Sequence, residues 1–189
     1  MSVALLISIQ PRLDELIEQG KKTIEVRKDF PHRVNVPFTC YIYKSMGRKR
    51  SVFARAIQKY FNCGKVVGEF ICDRIDEYPY RSEFGYEISE EDFNATMLTA
   101  DEFCGYGNQE TLYGWHISEL KIYDEPKALS EFRKPCTVEF NSFACRGCDY
   151  YNYYLPLFDG VADLSKSWCS DGSRVLKRPP QSWCYVEEG

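Results

Sequence analysis

Lys22, Glu25 and Arg27 stand close together in GKKTIEVR, residues 20–27, interleaved with Thr23, Ile24 and Val26. The β-branched residues favour an extended strand. In a strand, residues two apart share a face, so Thr23, Glu25 and Arg27 share one and Ile24 and Val26 take the other. Lys22 falls at the junction with the preceding segment. A carboxylate and a guanidinium on one face hold each other through charge-assisted hydrogen bonds. On a concave face such a pair can read a polar ligand. A partly desolvated Lys beside it has a lowered pKa and can act as base or activate a nucleophile. The alternative for the same spacing is a solvated edge strand carrying a cross-strand ion pair.

A second constellation is sulfur. Cys136, Cys145, Cys148 and Cys169 give C-x8-C-x2-C-x20-C, in a segment poor in aliphatic residues and rich in Tyr. The knuckle Cys145-Arg-Gly-Cys148 can aim two thiolates at one ion. A structural Zn2+ held by four thiolates stabilises a segment that lacks its own core and leaves no open position for chemistry. Cys184 is an alternative fourth ligand, and free thiols or disulfides are the competing readings. The chain has nine Cys, an odd number. Its N-terminus MSVALLISIQPRLDE lacks a basic region before the apolar run and is expected to be a strand and helix, not a signal peptide. Reduced thiols in a cytoplasm are the matching expectation. Cys40, Cys63, Cys72 and Cys104 are scattered and read as core or incidental.

Net charge is −4 and the isoelectric point about 5.4, which excludes a global basic field. A local patch is available. Lys44, Arg48, Lys49 and Arg50 form a basic run, followed by Arg55 and Lys59, and together they can track a phosphate backbone. A solvated loop is the alternative. In LYGWHI, His116 and Trp115 lie on opposite faces. His116 can face a ligand or be an ordinary histidine, and Trp115 can stack on a base or fill the core. Glu69 is a further candidate on the same grounds.

These residues need elements to position them. VALLISI (3–9) reads as a buried strand, and Pro11 opens a helix with Leu13, Leu16 and Ile17 on one side and Asp14, Glu15 and Glu18 on the other. Gly20 is placed to end it. Strands are expected at 23–27, 38–43 and 65–75, the last with a bulge at Gly68. A helix is expected over 52–61. Residues 76–95 read as irregular until a helix starts at Ser89, and a second short helix runs within 97–107. One or two strands follow over 111–123, then a loop over 124–135 and a final strand after Pro180. No apolar run is long enough to span a membrane. Short strands, few helices and an aromatic content of 15% predict an α+β fold, a small mostly antiparallel β-barrel with short flanking helices.

The spacing Gly20-x-Lys22-x-x-Glu25-x-Arg27 after a strand and helix resembles the G-x-K-x-x-E-x-R signature of the ASCH family, which is similar in fold to the PUA-like RNA-binding barrels. SIQP before the helix, VVGEF and YGWHI agree with it. The resemblance covers most of 3–133, with 177–188 completing the barrel. It implies a barrel of residues 1–135 plus 175–189 and a Cys-rich insert at 136–174. RPPQSWCYVEE and VVGEFICDRI also resemble ASCH proteins of phages and prophages. The resemblance implies a cleft that binds RNA or a modified nucleotide, lined by the motif residues Gly20, Lys22, Glu25 and Arg27; Trp115, His116, Lys49 and Arg50 are further binding candidates read from the residues themselves. One bacterial branch comprises hydrolases that deacylate N4-acetylcytidine with a Lys, a Thr and a remote Glu. Lys22 matches the Lys, but Glu25 stands where that branch has Thr, so the hydroxyl is missing. Glu90, Glu91 and Glu102 are candidates for the remote Glu. Other relatives are ribonucleases, for which Glu25 would be the base and Lys22 or Arg27 would hold the phosphate.

Overall fold

The computed structural model describes residues 3–46, 62–135 and 174–188. The helix expected over 52–61, the basic residues Arg48, Lys49 and Arg50, and the four cysteines Cys136, Cys145, Cys148 and Cys169 lie outside the described residues.

β1 (Val3–Ile9) is apolar except at Ser8 because it is covered on both faces. Leu5, Ile7 and Ile9 join one core cluster with Ile17, Phe70 and Trp115, whereas Ala4 and Leu6 join a second with Tyr41, Tyr43 and Val186. α1 (Pro11–Glu18) starts on Pro11 and ends where Gly20 takes φ +68°, the left-handed region open to glycine. β2 (Ile24–Arg27), β3 (Phe38–Lys44) and β4 (Val66–Tyr78) follow. A small hairpin, β5 (Tyr80–Arg81) and β6 (Gly85–Tyr86), leads to α2 (Glu90–Thr96) and α3 (Ala100–Gly107). Ser89 caps α2, and Thr99 with Glu102 forms a capping box on α3. β7 (Leu112–Lys127) is one long strand and β8 (Trp183–Glu187) is the last.

Six strands form one sheet in the order β2-β7-β4-β3-β1-β8, with only the β1–β3 pair parallel. This is the expected α+β, mostly antiparallel arrangement. The sheet is not closed into a barrel, which corrects the expected architecture. Among the described residues β2 has no partner strand on its outer side, and α2 holds that edge. The Thr23 amide donates to the Ala95 carbonyl at 3.1 Å, and α2 ends there. The sheet still curls, since Arg27 of β2 donates to the Ser8 carbonyl of β1 at 2.8 Å although three strands separate β2 from β1.

Strand β4 is longer than its pattern suggested and runs on through Asp76 to Tyr78, which is buried. Likewise β7 continues to Lys127, where a loop was expected. The bulge at Gly68 is present: pairing with both neighbours shifts register beside it, and a Cβ there would meet the Lys121 carbonyl oxygen at 2.6 Å. Among the described residues no helix is long and apolar enough to cross a membrane.

Candidate functional site: a cleft floored by a buried charge ladder

The turn after α1 carries the chain back beneath α2. The Lys22 amide donates to the Leu16 carbonyl at 3.0 Å, so the side chain enters the protein where β2 begins. Lys22 is 1% exposed. Its Nζ donates to the carbonyls of Ile24 and Thr96, each at 2.7 Å, and lies 3.2 Å from Glu25 Oε2. An ammonium has three donors, and here three acceptors surround it. Burial lowers the Lys22 pKa, with Glu25 opposing that effect. Glu25 Oε1 lies 2.9 Å from Arg27 Nη2, and both residues are buried.

Glu25 and Arg27 therefore share one strand face, as their spacing predicts. Val26 points the other way, into a cluster with Tyr78, Phe103 and Leu112. The solvated-edge alternative is half right: β2 is an edge strand, but its charged side chains are buried. The ladder runs positive, negative, positive and so carries one net positive charge. Arg27 Nε is buried without a hydrogen-bond partner.

The ladder floors a cleft of about 1030 Å³. Its walls come from the start of α1 with Gln10 and Arg12, the end of β3 with Tyr43, Ser45 and Met46, α3 with Glu102 and Tyr106, and the stretch 179–182. That stretch is fastened to β1, the Ser8 hydroxyl donating to the Pro180 carbonyl at 2.7 Å and the Ser8 amide to the Ser182 carbonyl at 2.8 Å. At the rim, Arg12 Nη2 meets Glu102 Oε1 at 2.6 Å and ties α1 to α3. Glu102 Oε2 accepts the Thr99 amide at 3.0 Å, and these contacts, the Thr99 amide foremost, lower the Glu102 pKa. Glu102 is thus a cap and a rim acceptor, held as a carboxylate.

No protein-family profile matches the sequence, and no curated protein matches it. Solved structures do. ASCH from Zymomonas mobilis aligns over 67% of this chain and 73% of its own, at 18% identity and a TM-score of 0.48. A serine-to-alanine mutant form of that protein aligns over 98% of this chain and 89% of its own, at 13% identity and a TM-score of 0.53. The fold is of the ASCH type.

Within this ASCH-type fold the residues singled out from sequence separate into groups. Lys22, Glu25 and Arg27 come together in the cleft. Gly20 shapes the approach to it but does not line it. Of the remote glutamates, Glu102 lines the cleft and Glu90 and Glu91 do not. Trp115 is fully buried, its ring 5.8 Å from that of Phe38 and 5.7 Å from that of Trp183, so it has no free face to offer a base. It belongs to the core alternative. His116 lies on the opposite side of β7, outside the cleft, against Asp76. Glu69 accepts from the Tyr123 hydroxyl at 2.5 Å, also away from the cleft.

Two further expectations change. Lys44, read as part of a basic phosphate-tracking run, is buried against Asp14 at 2.8 Å and Glu18 at 3.6 Å. Asp14, read as part of the polar side of α1, is fully buried there, and burial raises its pKa to about 6 against the opposing pull of Lys44. Arg12, Tyr43 and Tyr106 line the cleft without having been picked out. The signal for Arg12 was present: Pro11 starts a helix directly after a strand, which hangs the first helical turn over the strand end.

Proposed function

We propose that the cleft binds RNA or a modified nucleoside or nucleotide. The observation that carries this reading is the buried ladder with one net positive charge at the cleft floor, in which Arg27 Nε has no hydrogen-bond partner. A buried donor without a partner is costly, and a ligand oxygen of a phosphate or a base carbonyl would satisfy it once the Arg27 side chain turns toward the cleft. The cleft is at the upper end of the size range of small-molecule sites. Tyr43 and Tyr106 on its walls supply aromatic surface of the kind that bases stack on. The ASCH-type fold supports the same reading.

A second reading is hydrolysis, of an N4-acylcytidine amide or of an RNA phosphodiester, with Lys22 and Glu25 as the acting groups. The favouring observation is the lowered Lys22 pKa in direct contact with a carboxylate. All three Lys22 donors face acceptors, so this reading requires the ladder to rearrange around the substrate.

The test is a panel of short single-stranded RNAs and N4-acylated cytidines. Binding is followed by fluorescence anisotropy at several salt concentrations, and turnover by mass spectrometry. Arg27→Gln is expected to weaken binding by about tenfold or more, in line with loss of a charged hydrogen-bond donor. Product that disappears in Lys22→Met, in a variant that retains its fold, would select the hydrolase. Neither binding nor product across the panel would overturn both readings.

A further inference from the structure

Away from the cleft, beneath α2, three metal-ligating side chains from three elements converge. His116 of β7, Asp76 of β4 and Asp92 of α2 each present one ligating atom, and these atoms all lie within 4.8 Å of one another. The pairing of Asp76 with Gly114 puts Asp76 and His116 on the same sheet face, two residues apart along β7. All three residues are partly shielded from solvent.

Asp76 Oδ2 lies 2.7 Å from His116 Nε2 and 3.0 Å from Arg74 Nη2, so a guanidinium already stands against this carboxylate. The same Arg74 nitrogen lies 3.0 Å from His116 Nε2. A divalent cation would take the place of that positive charge between carboxylate and imidazole, and Arg74, whose side chain is 60% exposed, would swing into solvent.

A separate observation concerns Tyr78, on the same face of β4 as Asp76. The residue is 2% exposed, and its hydroxyl is buried with no hydrogen-bond partner. The ring leans across β7, where Gly114 makes room: a Cβ there would sit 2.4 Å from the hydroxyl. Asp92, then Asp76, are the charges that act most on this hydroxyl. An unspent donor beside two carboxylates is the kind of group that orients metal-bound carboxylates.

We propose that Asp76, Asp92 and His116 bind a divalent first-row cation, with Arg74 holding its place in the apo protein and the Tyr78 hydroxyl supporting the carboxylates. One imidazole and two carboxylates suit Mn2+ or Zn2+. The cation joins α2 to the sheet. Because the Thr96 carbonyl at the end of α2 accepts from Lys22, the site also steadies the cleft floor, but it stands independently of what the cleft binds.

Mn2+ is the probe of choice, since the thiolates elsewhere in the chain compete for Zn2+. The full-length protein is titrated with MnCl2, free Mn2+ is read by electron paramagnetic resonance, and melting temperature is followed in parallel. One Mn2+ per chain is expected, with a raised melting temperature. Asp92→Asn and His116→Gln are expected to weaken binding by about tenfold or more, and Arg74→Ala to tighten it. Equal Mn2+ binding by the native protein, Asp92→Asn and His116→Gln would overturn the proposal. So would failure of the Arg74→Ala protein, folded by circular dichroism, to bind Mn2+.

Discussion

At the scale of single residues, the chemistry of this protein lies in charges taken out of water. Lys22 is buried among two carbonyls and Glu25, so removing it strands three acceptors, one of them a carboxylate. Breaking a buried pair from one side costs about 3–5 kcal/mol. Lys22→Met is expected to destabilise on that order in urea denaturation, and far more than Lys21→Met, whose residue is exposed. Asp14 offers a pH test. Burial raises its pKa from 3.8 to about 6 in the folded protein, so between those values the folded state holds a proton that the unfolded chain has released. The contribution to stability is full below about pH 4 and is lost as pH rises to about 6. Relative to Asp14→Asn, the native protein should therefore lose stability on the order of 2–3 kcal/mol across that window. Melting curves at several pH values measure the difference, and a carboxyl carbon titration by NMR should place the Asp14 midpoint near 6.

At the scale of elements, short pieces are set by strong local signals and then bent by their neighbours. Pro11 and Ser89 define two helix starts that were read from the chain, whereas the Thr99–Glu102 box that starts α3 is a local signal that was not picked out. Gly68 is readable too, as a glycine inside an alternating strand. What it permits is tertiary, the approach of the Lys121 carbonyl on β7. Gly68→Ala should push β7 from β4 and cost about 1–3 kcal/mol, seen as a lowered melting temperature. The ends of β4 and β7 were less legible, because Asp76 and Glu77, like Asp124 to Lys127, carry little strand propensity of their own, and pairing between the two strands, as of Asp76 with Gly114 and of Val66 with Lys127, extends them. The segment 136–174 remains our proposal from spacing alone. A structural Zn2+ on Cys136, Cys145, Cys148 and Cys169 predicts about one zinc per chain by elemental analysis, lost in the double variant Cys145→Ser, Cys148→Ser.

At the scale of the whole molecule, the open side of the sheet carries the cleft of the proposed function. β2 and β1 meet through Arg27 and the Ser8 carbonyl, and the cleft lies over that gap. Arg12 and Glu102 close its rim as a pair with half-exposed side chains. Arg12→Gln should leave stability within about 0.5 kcal/mol, as for exposed ion pairs, while changing affinity for any ligand that enters between α1 and α3. Binding of the RNA panel by this variant, compared at low and high salt, measures it. The sequence by itself determined the α+β class, the strand–helix–strand opening, the shared face of Glu25 and Arg27 and the helix caps. Each of these depends on residues within a few positions of one another, where strand alternation, helical periodicity and capping hydrogen bonds operate. Only the tertiary structure decided that the sheet stays open and that Trp115 is core. It also set Lys44 against Asp14 and moved His116 out of the cleft to join Asp76 and Asp92. Those outcomes turn on which distant side chains share a buried volume, and the cost of burying a charge or leaving a donor unpaired is set by that company and not by local sequence.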